Sequence, residues 1–356
     1  TETLFDEADR QHPAKSSSYS AVRYTYDERG REVLQEFLDA QGNRVYPKNA
    51  AAARRSGWDD HDDRILTEHL DVTGALMQGE WGYARQVEVH DEHGFLVEQR
   101  HYDETGKLAL WRDGGAIQKV TRDTRGLALA EAAFDASEHP VPTVHGWSTA
   151  RVRYAGLRNI AELSFFGPDG HPCIDSEGFA VLRETYDDNG DGLTRTYLDA
   201  TGAPAMYRGE YATERVTRDA LGNHAEDAYL DGHGERVLRR DGFSAVRFTR
   251  DRNGDVIAAA YFGKRDEPIA REGGYAKKTT AYDDHRRAVE MVLFDASGVP
   301  SAGSAGWTIE RDAYDDRGLV VRRDHLDAGR NPVLTRSGSA SVTWVYDARG
   351  NVVEET

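Results

Sequence analysis

An aspartate recurs every 32 residues, at Asp27, Asp59, Asp91, Asp123, Asp187, Asp219, Asp251, Asp283, Asp315 and Asp347, with Ala155 alone breaking the column. No insertion or deletion disturbs this register over ten intervals. The chain is therefore one supersecondary unit repeated about eleven times, and its function has to be sought on the surface of an array.

Other columns keep the same period. Eight positions before each aspartate stand Tyr19, Ala51, Tyr83, Gly115, Trp147, Phe179, Tyr211, Phe243, Tyr275, Trp307 and Ser339, eight of the eleven aromatic. The next residue is always Ala, Ser or Thr. Twelve residues after the first aspartate comes a second, as at Asp39, Asp71 and Asp103, replaced by Gly167 and Gly263 in two repeats and always preceded by an apolar residue such as Leu38 or Phe294.

Both aspartates open an Asp-x-x-Gly phrase, seen at Asp27 to Gly30 and Asp39 to Gly42. An Asp at the head of a tight turn accepts hydrogen bonds from backbone amides just ahead of it, and the Gly supplies positive φ. Between the turns run stretches such as Arg31 to Leu38 and Asp191 to Leu198, short enough and bounded tightly enough to be strands. Ser20 to Tyr26 and Ser244 to Arg250, rich in β-branched and aromatic residues, read as the partner strands. A third strand is expected after the second turn. There Pro140, Pro172, Pro204, Pro268, Pro300 and Pro332 recur, and since Pro has no donor to give, that strand should begin at an edge or just outside the sheet.

The expected fold is all-β: tandem 32-residue repeats, each a three-stranded antiparallel meander, stacked as a β-solenoid or spiralling sheet. Residues 1–356 read as a single array, with a partial repeat at 1–17 and repeats in register over 18–356, the last truncated; both ends falling inside a repeat suggests a piece of something longer. One repeat has too thin an apolar column to stand alone, for example Val33, Ile65, Val97 and Leu129, so stability should come from neighbouring repeats. The small residue after the aromatic marks a close backbone approach, and Ala212→Leu should overpack it.

A chain with 38% hydrophobic and 30% charged residues suits a thin, solvated array better than a thick core. Its formal net charge of -17 argues against nonspecific nucleic-acid binding and against docking on anionic membranes. No long apolar stretch is present to insert in a membrane. The single Cys173 excludes an internal disulfide framework and leaves the redox compartment open.

Little in the sequence points to chemistry. His69, His101 and His325 share a column in which other repeats carry Phe37, Phe165, Tyr197, Tyr229 and Tyr261, so they read as packed rings rather than metal ligands. Asp187, Asp188, Asn189, Gly190 and Asp191 resemble half of a calcium loop, but the position of its bidentate Glu holds Thr196, and turn chemistry accounts for the same residues. No nucleophile, acid-base pair or phosphate loop stands out, so no enzyme, cofactor or metal is expected.

One further column is basic. Four positions before the first aspartate stand Arg23, Arg55, Lys119, Arg151, Arg183, Arg215, Arg247 and Arg311. By period-two alternation this column and the aromatic one should share a face. The candidate binding surface is accordingly Tyr83, Trp147, Phe179, Tyr211, Phe243, Tyr275 and Trp307 with Arg151, Arg183, Arg215, Arg247 and Arg311, able to stack on and hydrogen-bond an extended ligand. The alternative is that each Arg pairs with a carboxylate of a neighbouring repeat and its stem shields an aromatic ring.

The phrases Tyr26-Asp27-Glu28-Arg29-Gly30, Tyr186-Asp187-Asp188-Asn189-Gly190 and Tyr346-Asp347-Ala348-Arg349-Gly350 resemble the Tyr-Asp (YD) repeats of bacterial Rhs and related toxin-shell proteins. That resemblance implies β-hairpins strung into long spiralling sheets, which in some members enclose a toxin. Gly306-Trp307, Gly274-Tyr275 and Phe294-Asp295-Ala296-Ser297-Gly298 are more weakly similar to the aromatic hairpin repeats of cell-wall-binding and glucan-binding proteins. The functional expectation is a non-enzymatic scaffold or extended binding surface within a larger bacterial protein. A carbohydrate or cell-surface binding module and a segment of an Rhs-like toxin-enclosing shell are its alternatives. Expected partners are a protein or a cell-surface polysaccharide and flanking domains of the same polypeptide, with no nucleic acid and no membrane insertion, in an extracytoplasmic or cell-surface setting.

Overall fold

The fold follows from turns placed at fixed intervals. In a computed structural model that describes residues 2–3 and 18–356, every described regular element is a β-strand and every strand pairing is antiparallel. The partial repeat expected at 1–17 lies outside the described residues, apart from Glu2–Thr3, which pairs with Ala21 and Val22. The chain divides into two compact units, Thr1–Leu182 with Asp199–Thr201 and Arg183–Leu198 with Gly202–Thr356. In the first, hairpins form from Ala21–Tyr26 with Glu32–Leu38, Ala53–Trp58 with Arg64–Leu70, Arg85–His90 with Leu96–Tyr102, Ile117–Arg122 with Ala128–Phe134, and Thr149–Ala155 with Asn159–Phe166. In the second they form from Thr213–Arg218 with His224–Leu230, Ala245–Arg250 with Val256–Phe262, Lys277–Tyr282 with Ala288–Phe294, Ile309–Tyr314 with Val320–Leu326, and Ser341–Tyr346 with Val352–Glu355.

The aspartates build the turns as their spacing predicts. Asp27 Oδ1 accepts the amides of Arg29 and Arg31, both at 2.9 Å, while the Gly30 amide donates to the Asp27 carbonyl at 3.0 Å. The second turn repeats this, with the amides of Gln41 and Asn43 on Asp39 Oδ1 at 2.9 and 2.8 Å. These hydrogen bonds hold the Asp27 and Asp39 carboxyls below their ordinary pKa, the amides of Arg31 and Asn43 contributing most. Where the aspartate is missing, Gly156 at φ 62° turns the chain instead.

The third segment of each repeat is present but very short. Pro268 forms a one-residue antiparallel bridge with Phe262, and Pro140 does the same with Phe134. Hydrogen bonds flank the bridge, Val141 N to Ala133 O at 3.0 Å and Asp135 N to His139 O at 2.8 Å. Proline therefore sits at the pair position whose amide faces away from the ladder, which is why it recurs inside the sheet at no cost in hydrogen bonds.

A third turn then returns the chain to the next hairpin. Gly114 N donates to Trp111 O at 2.9 Å and Gly274 N to Arg271 O at 2.8 Å. Successive third turns are linked by one backbone hydrogen bond each: Arg112 N to Trp81 O, Val144 N to Asp113 O and Ser176 N to His145 O in the first unit, and Glu272 N to Asp241 O, Ser304 N to Gly273 O and Arg336 N to Ala305 O in the second, all between 2.7 and 2.9 Å.

Two kinds of strand seam alternate. Within a hairpin the pairing runs the full length, from Ala245↔Phe262 to Arg250↔Val256, with a bulge beside the first turn. Between hairpins it covers three residue pairs, as in Glu226↔Arg247, Asp227↔Val246 and Ala228↔Ala245. Beyond those pairs the strands part, and in several repeats a side chain from the residue before the first-aspartate column spans the gap. Tyr154 Oη donates to Ala128 O at 2.9 Å, Tyr314 Oη to Ala288 O at 2.8 Å, Tyr346 Oη to Val320 O at 2.8 Å and Trp58 Nε1 to Glu32 O at 2.9 Å. In Tyr314-Asp315 and Tyr346-Asp347 the Tyr of the Tyr-Asp phrase is thus a tie between repeats.

Candidate functional site

The aromatic column of the candidate surface lies in the core. Tyr83, Phe179, Tyr211 and Phe243 are buried, and Trp147, Tyr275 and Trp307 are partly buried. Each ring packs against the ring column near the end of the second strand. In the second unit Tyr197, Tyr211, Tyr229, Phe243, Tyr261 and Tyr275 follow one another with centroids 4.9 to 6.0 Å apart, tilted between 61° and 74°. These are edge-to-face contacts, favoured because the positive rim of one ring meets the negative face of the next. In the first unit Trp147 meets Phe165 at 5.7 Å, Phe165 meets Phe179 at 5.5 Å, and Tyr83 lies between His69 and His101 at 5.2 and 4.8 Å. Burial raises the Tyr229 hydroxyl pKa to about 12, with the Glu214 carboxylate adding to the effect.

The third turn lays one more side chain over this zipper, and its size complements the ring below. Trp111 stacks on His101 at 4.6 Å, Tyr207 stacks on Tyr197 at 4.5 Å, and the guanidinium of Arg239 lies 4.5 Å from the centre of Tyr229. Gly79 occupies the same place above His69, where an added Cβ would come within 2.5 Å of the imidazole.

The arginine column does not share the aromatic face, contrary to the alternation argument. Phe243 meets Tyr261 at 5.0 Å, whereas Arg247 lies over Phe262 at 4.2 Å. Tyr261 and Phe262 are consecutive on one strand and so point to opposite faces. The same holds for Trp147 on Phe165 and Arg151 on Phe166. The reason is that the aromatic residue belongs to the third turn, with its carbonyl accepting from Arg239 N in the case of Phe243, so strand alternation begins only after it.

Arg247 and Arg311 make the neighbour contacts of the alternative reading. Arg247 Nε binds Glu226 of the preceding hairpin at 2.5 Å and its Nη2 binds Asp266 at 2.6 Å; Arg311 Nε binds Glu290 at 2.6 Å. Arg151 rests on its ring, and Arg183 and Arg215 are exposed.

The gaps between hairpins form the clefts. One of them, about 360 Å³, is lined by Glu184, Tyr186, Arg195, Glu214, Arg218 and His224 around Leu193 and Val216. Its polar groups already have partners: Arg195 Nε binds Glu184 at 2.7 Å, Tyr186 Oη donates to the same carboxylate, His224 Nδ1 is 3.0 Å from Asp227, and Arg218 Nη1 donates to Gly222 O at 2.8 Å. Burial, then Glu184, pushes the Tyr186 hydroxyl up to about 12. The cleft offers paired charges rather than an activated nucleophile. At the suggested calcium loop, Asp187 Oδ1 receives the amides of Asn189 and Asp191 at 3.0 and 2.9 Å, as in the other turns.

No protein-family model matches the chain. No curated protein matches its sequence either. Among solved structures it is similar to the crystal structure of TcdB2-TccC3-Cdc42, with 13% identity, a TM-score of 0.36 and coverage of 97% of this chain and 17% of that one. It is also similar to TcdB2-TccC3 without its hypervariable C-terminal region, with 11% identity, a TM-score of 0.31 and coverage of 94% and 21%. A further TcdB2-TccC3 structure gives 13%, 0.27, 94% and 20%. This chain thus spans about a fifth of each of those chains, and superposition at this level carries no functional argument.

Proposed function

We propose that this chain is a non-enzymatic repeat scaffold, a β wall within a larger bacterial protein. The observation that carries the reading is the fate of the aromatic column, whose rings interlock between repeats instead of facing a ligand. The basic column supports it, since Arg247 and Arg311 are spent on carboxylates of neighbouring hairpins. Partners would then be flanking domains of the same polypeptide, and no cofactor enters the reading.

Tyr211→Ala and Trp307→Ala separate this from a carbohydrate-binding module. A scaffold loses stability, by about 3–5 kcal/mol for a large ring removed from a core, with a matching fall in urea midpoint. A variant that keeps the wild-type midpoint but no longer stays on a polysaccharide affinity column would refute the scaffold reading.

A finer version, a wall segment of an Rhs-like toxin-enclosing shell, draws support from the inter-repeat role of the Tyr-Asp tyrosines Tyr282, Tyr314 and Tyr346. Electron microscopy of the chain within its native longer polypeptide tests it, because a closed chamber with a domain inside is required and an open fibre is incompatible.

A further inference from the structure

His101 is the one ring in the zipper that has no exposed surface and no hydrogen-bond partner at either nitrogen among the described residues. Four elements enclose it. Ahead of strand Arg85–His90 stands Tyr83, 4.8 Å away, and on that strand Gln86 lies opposite, its amide bound to Glu88. On its own strand Gln99 also binds Glu88, at 3.2 Å. The return segment supplies Trp111, stacked at 4.6 Å and 15°. From the next hairpin, the Ala116 carbonyl is already taken by the His101 amide at 2.9 Å, and Gln118 binds Glu131. Beyond Tyr83 lies His69, whose buried Nε2 also lacks a partner. Glu88 is thus engaged by Gln86 and Gln99 and lies 3.7 Å from His90 Nε2, Glu131 is engaged by Gln118, and neither carboxylate is bonded to the His101 ring.

We propose that the His69–Tyr83–His101–Trp111 stack is an acid-sensitive seam, in which protonation of His101 expels its ring and releases the return segment at 108–115 from the hairpin beneath it. A charged imidazolium is disfavoured where it is shut off from solvent and the carbonyl beside it, that of Ala116, is already taken by the His101 amide. Elsewhere the same column is not built this way. Tyr229 and Tyr261 carry no group that gains a proton in mild acid, and His325 has Glu310 at 3.4 Å to receive one. The seam therefore gives a local response within an array of otherwise similar joints.

Burial depresses the His101 pKa to about 4 from 6.5, outweighing the Ala116 carbonyl, which favours the proton. A histidine depressed in the folded state contributes full stability above pH 6.5 and loses it as pH falls toward 4. The corresponding rise in the open population is about 30-fold at pH 5 and about 150-fold at pH 4.

Hydrogen exchange read by mass spectrometry, corrected for intrinsic rates, tests this at pH 7.5 and pH 5.0. Wild type should lose about 30-fold protection in peptides spanning 96–116, and His101→Phe, folded at pH 7.5, should lose none. Tyr261→His should transplant the same loss to 256–276, and it decides the matter alone if His101→Phe fails to fold. Equal protection of the wild type at both pH values, an undiminished loss in His101→Phe, or no gain in Tyr261→His overturns the proposal.

Discussion

Gly114→Ala should cost more than any other glycine substitution in the Asp or third turns of its repeat, by an amount that isolates the joint between third turns. Gly114 has φ +109°, and a Cβ there would stand 2.7 Å from Pro142 O and 3.2 Å from Thr143 Cα of the next return segment. Gly106, in the second Asp turn of the same repeat, has φ +82° with nothing within 4 Å. Both substitutions place an L side chain in the left-handed region, at roughly 1–2 kcal/mol. Only Gly114→Ala adds overpacking against backbone that is tied by Val144 N to Asp113 O at 2.8 Å, worth a further 1–3 kcal/mol or so. The expected totals are about 1–2 kcal/mol for Gly106→Ala and roughly 2–5 kcal/mol for Gly114→Ala. Native-state hydrogen exchange at the Val144 amide, with urea unfolding followed by tryptophan fluorescence, reads both. Equal losses would show that only local backbone strain matters and that the third turns do not join the repeats.

Two more perturbations probe the array. Ala212 is fully buried, and its backbone joins two hairpins, accepting from Tyr197 N at 2.9 Å and donating to Leu230 O at 2.8 Å. Ala212→Leu should therefore destabilise by about 1–3 kcal/mol, whereas Leu at the exposed Thr217 should leave the urea midpoint unchanged. Acid should also act on the Asp turns, in a window below that of His101. Asp283 is held at about 2 by the Arg287 guanidinium and amide, against 3.8 when unperturbed, so its stabilising effect is present above pH 3.8 and disappears as pH falls toward 2. Circular dichroism should show a global loss of sheet below pH 4, distinct from the local event near pH 5, and a single transition would contradict both assignments.

The repeat length, the two Asp turns and both main strands were legible in the sequence because each depends on local backbone chemistry. Asp27 and Gly30 need only each other to turn the chain. The facing of side chains was not legible, because it depends on where strand alternation starts. Tyr211 and Phe243 look like strand residues, yet they belong to a turn, and this single displacement puts Arg247 on the other face. The third turn did leave a signal, the glycine at Gly82, Gly114, Gly146, Gly178, Gly242, Gly274, Gly306 and Gly338, immediately before the aromatic column. The matching of Trp111 to His101 and of Gly79 to His69 joins residues ten apart through a return whose path the sequence does not display. His101 could be read as a packed ring, but its lack of a hydrogen-bond partner at either nitrogen belongs to the surroundings and not to the column.

The single backbone hydrogen bond between successive third turns has a consequence for how such a chain can vary. It is made by main-chain atoms at the same place in each step, so it asks nothing of the side chains, which is why Trp81, Asp113, His145, Asp241, Gly273 and Ala305 all serve as acceptors. Length and content are thereby decoupled. Duplication or loss of a 32-residue block leaves equivalent joints on either side, while the exposed tips of the same turns are free to drift. Such an array inherits its geometry from the step and its individuality from the tips.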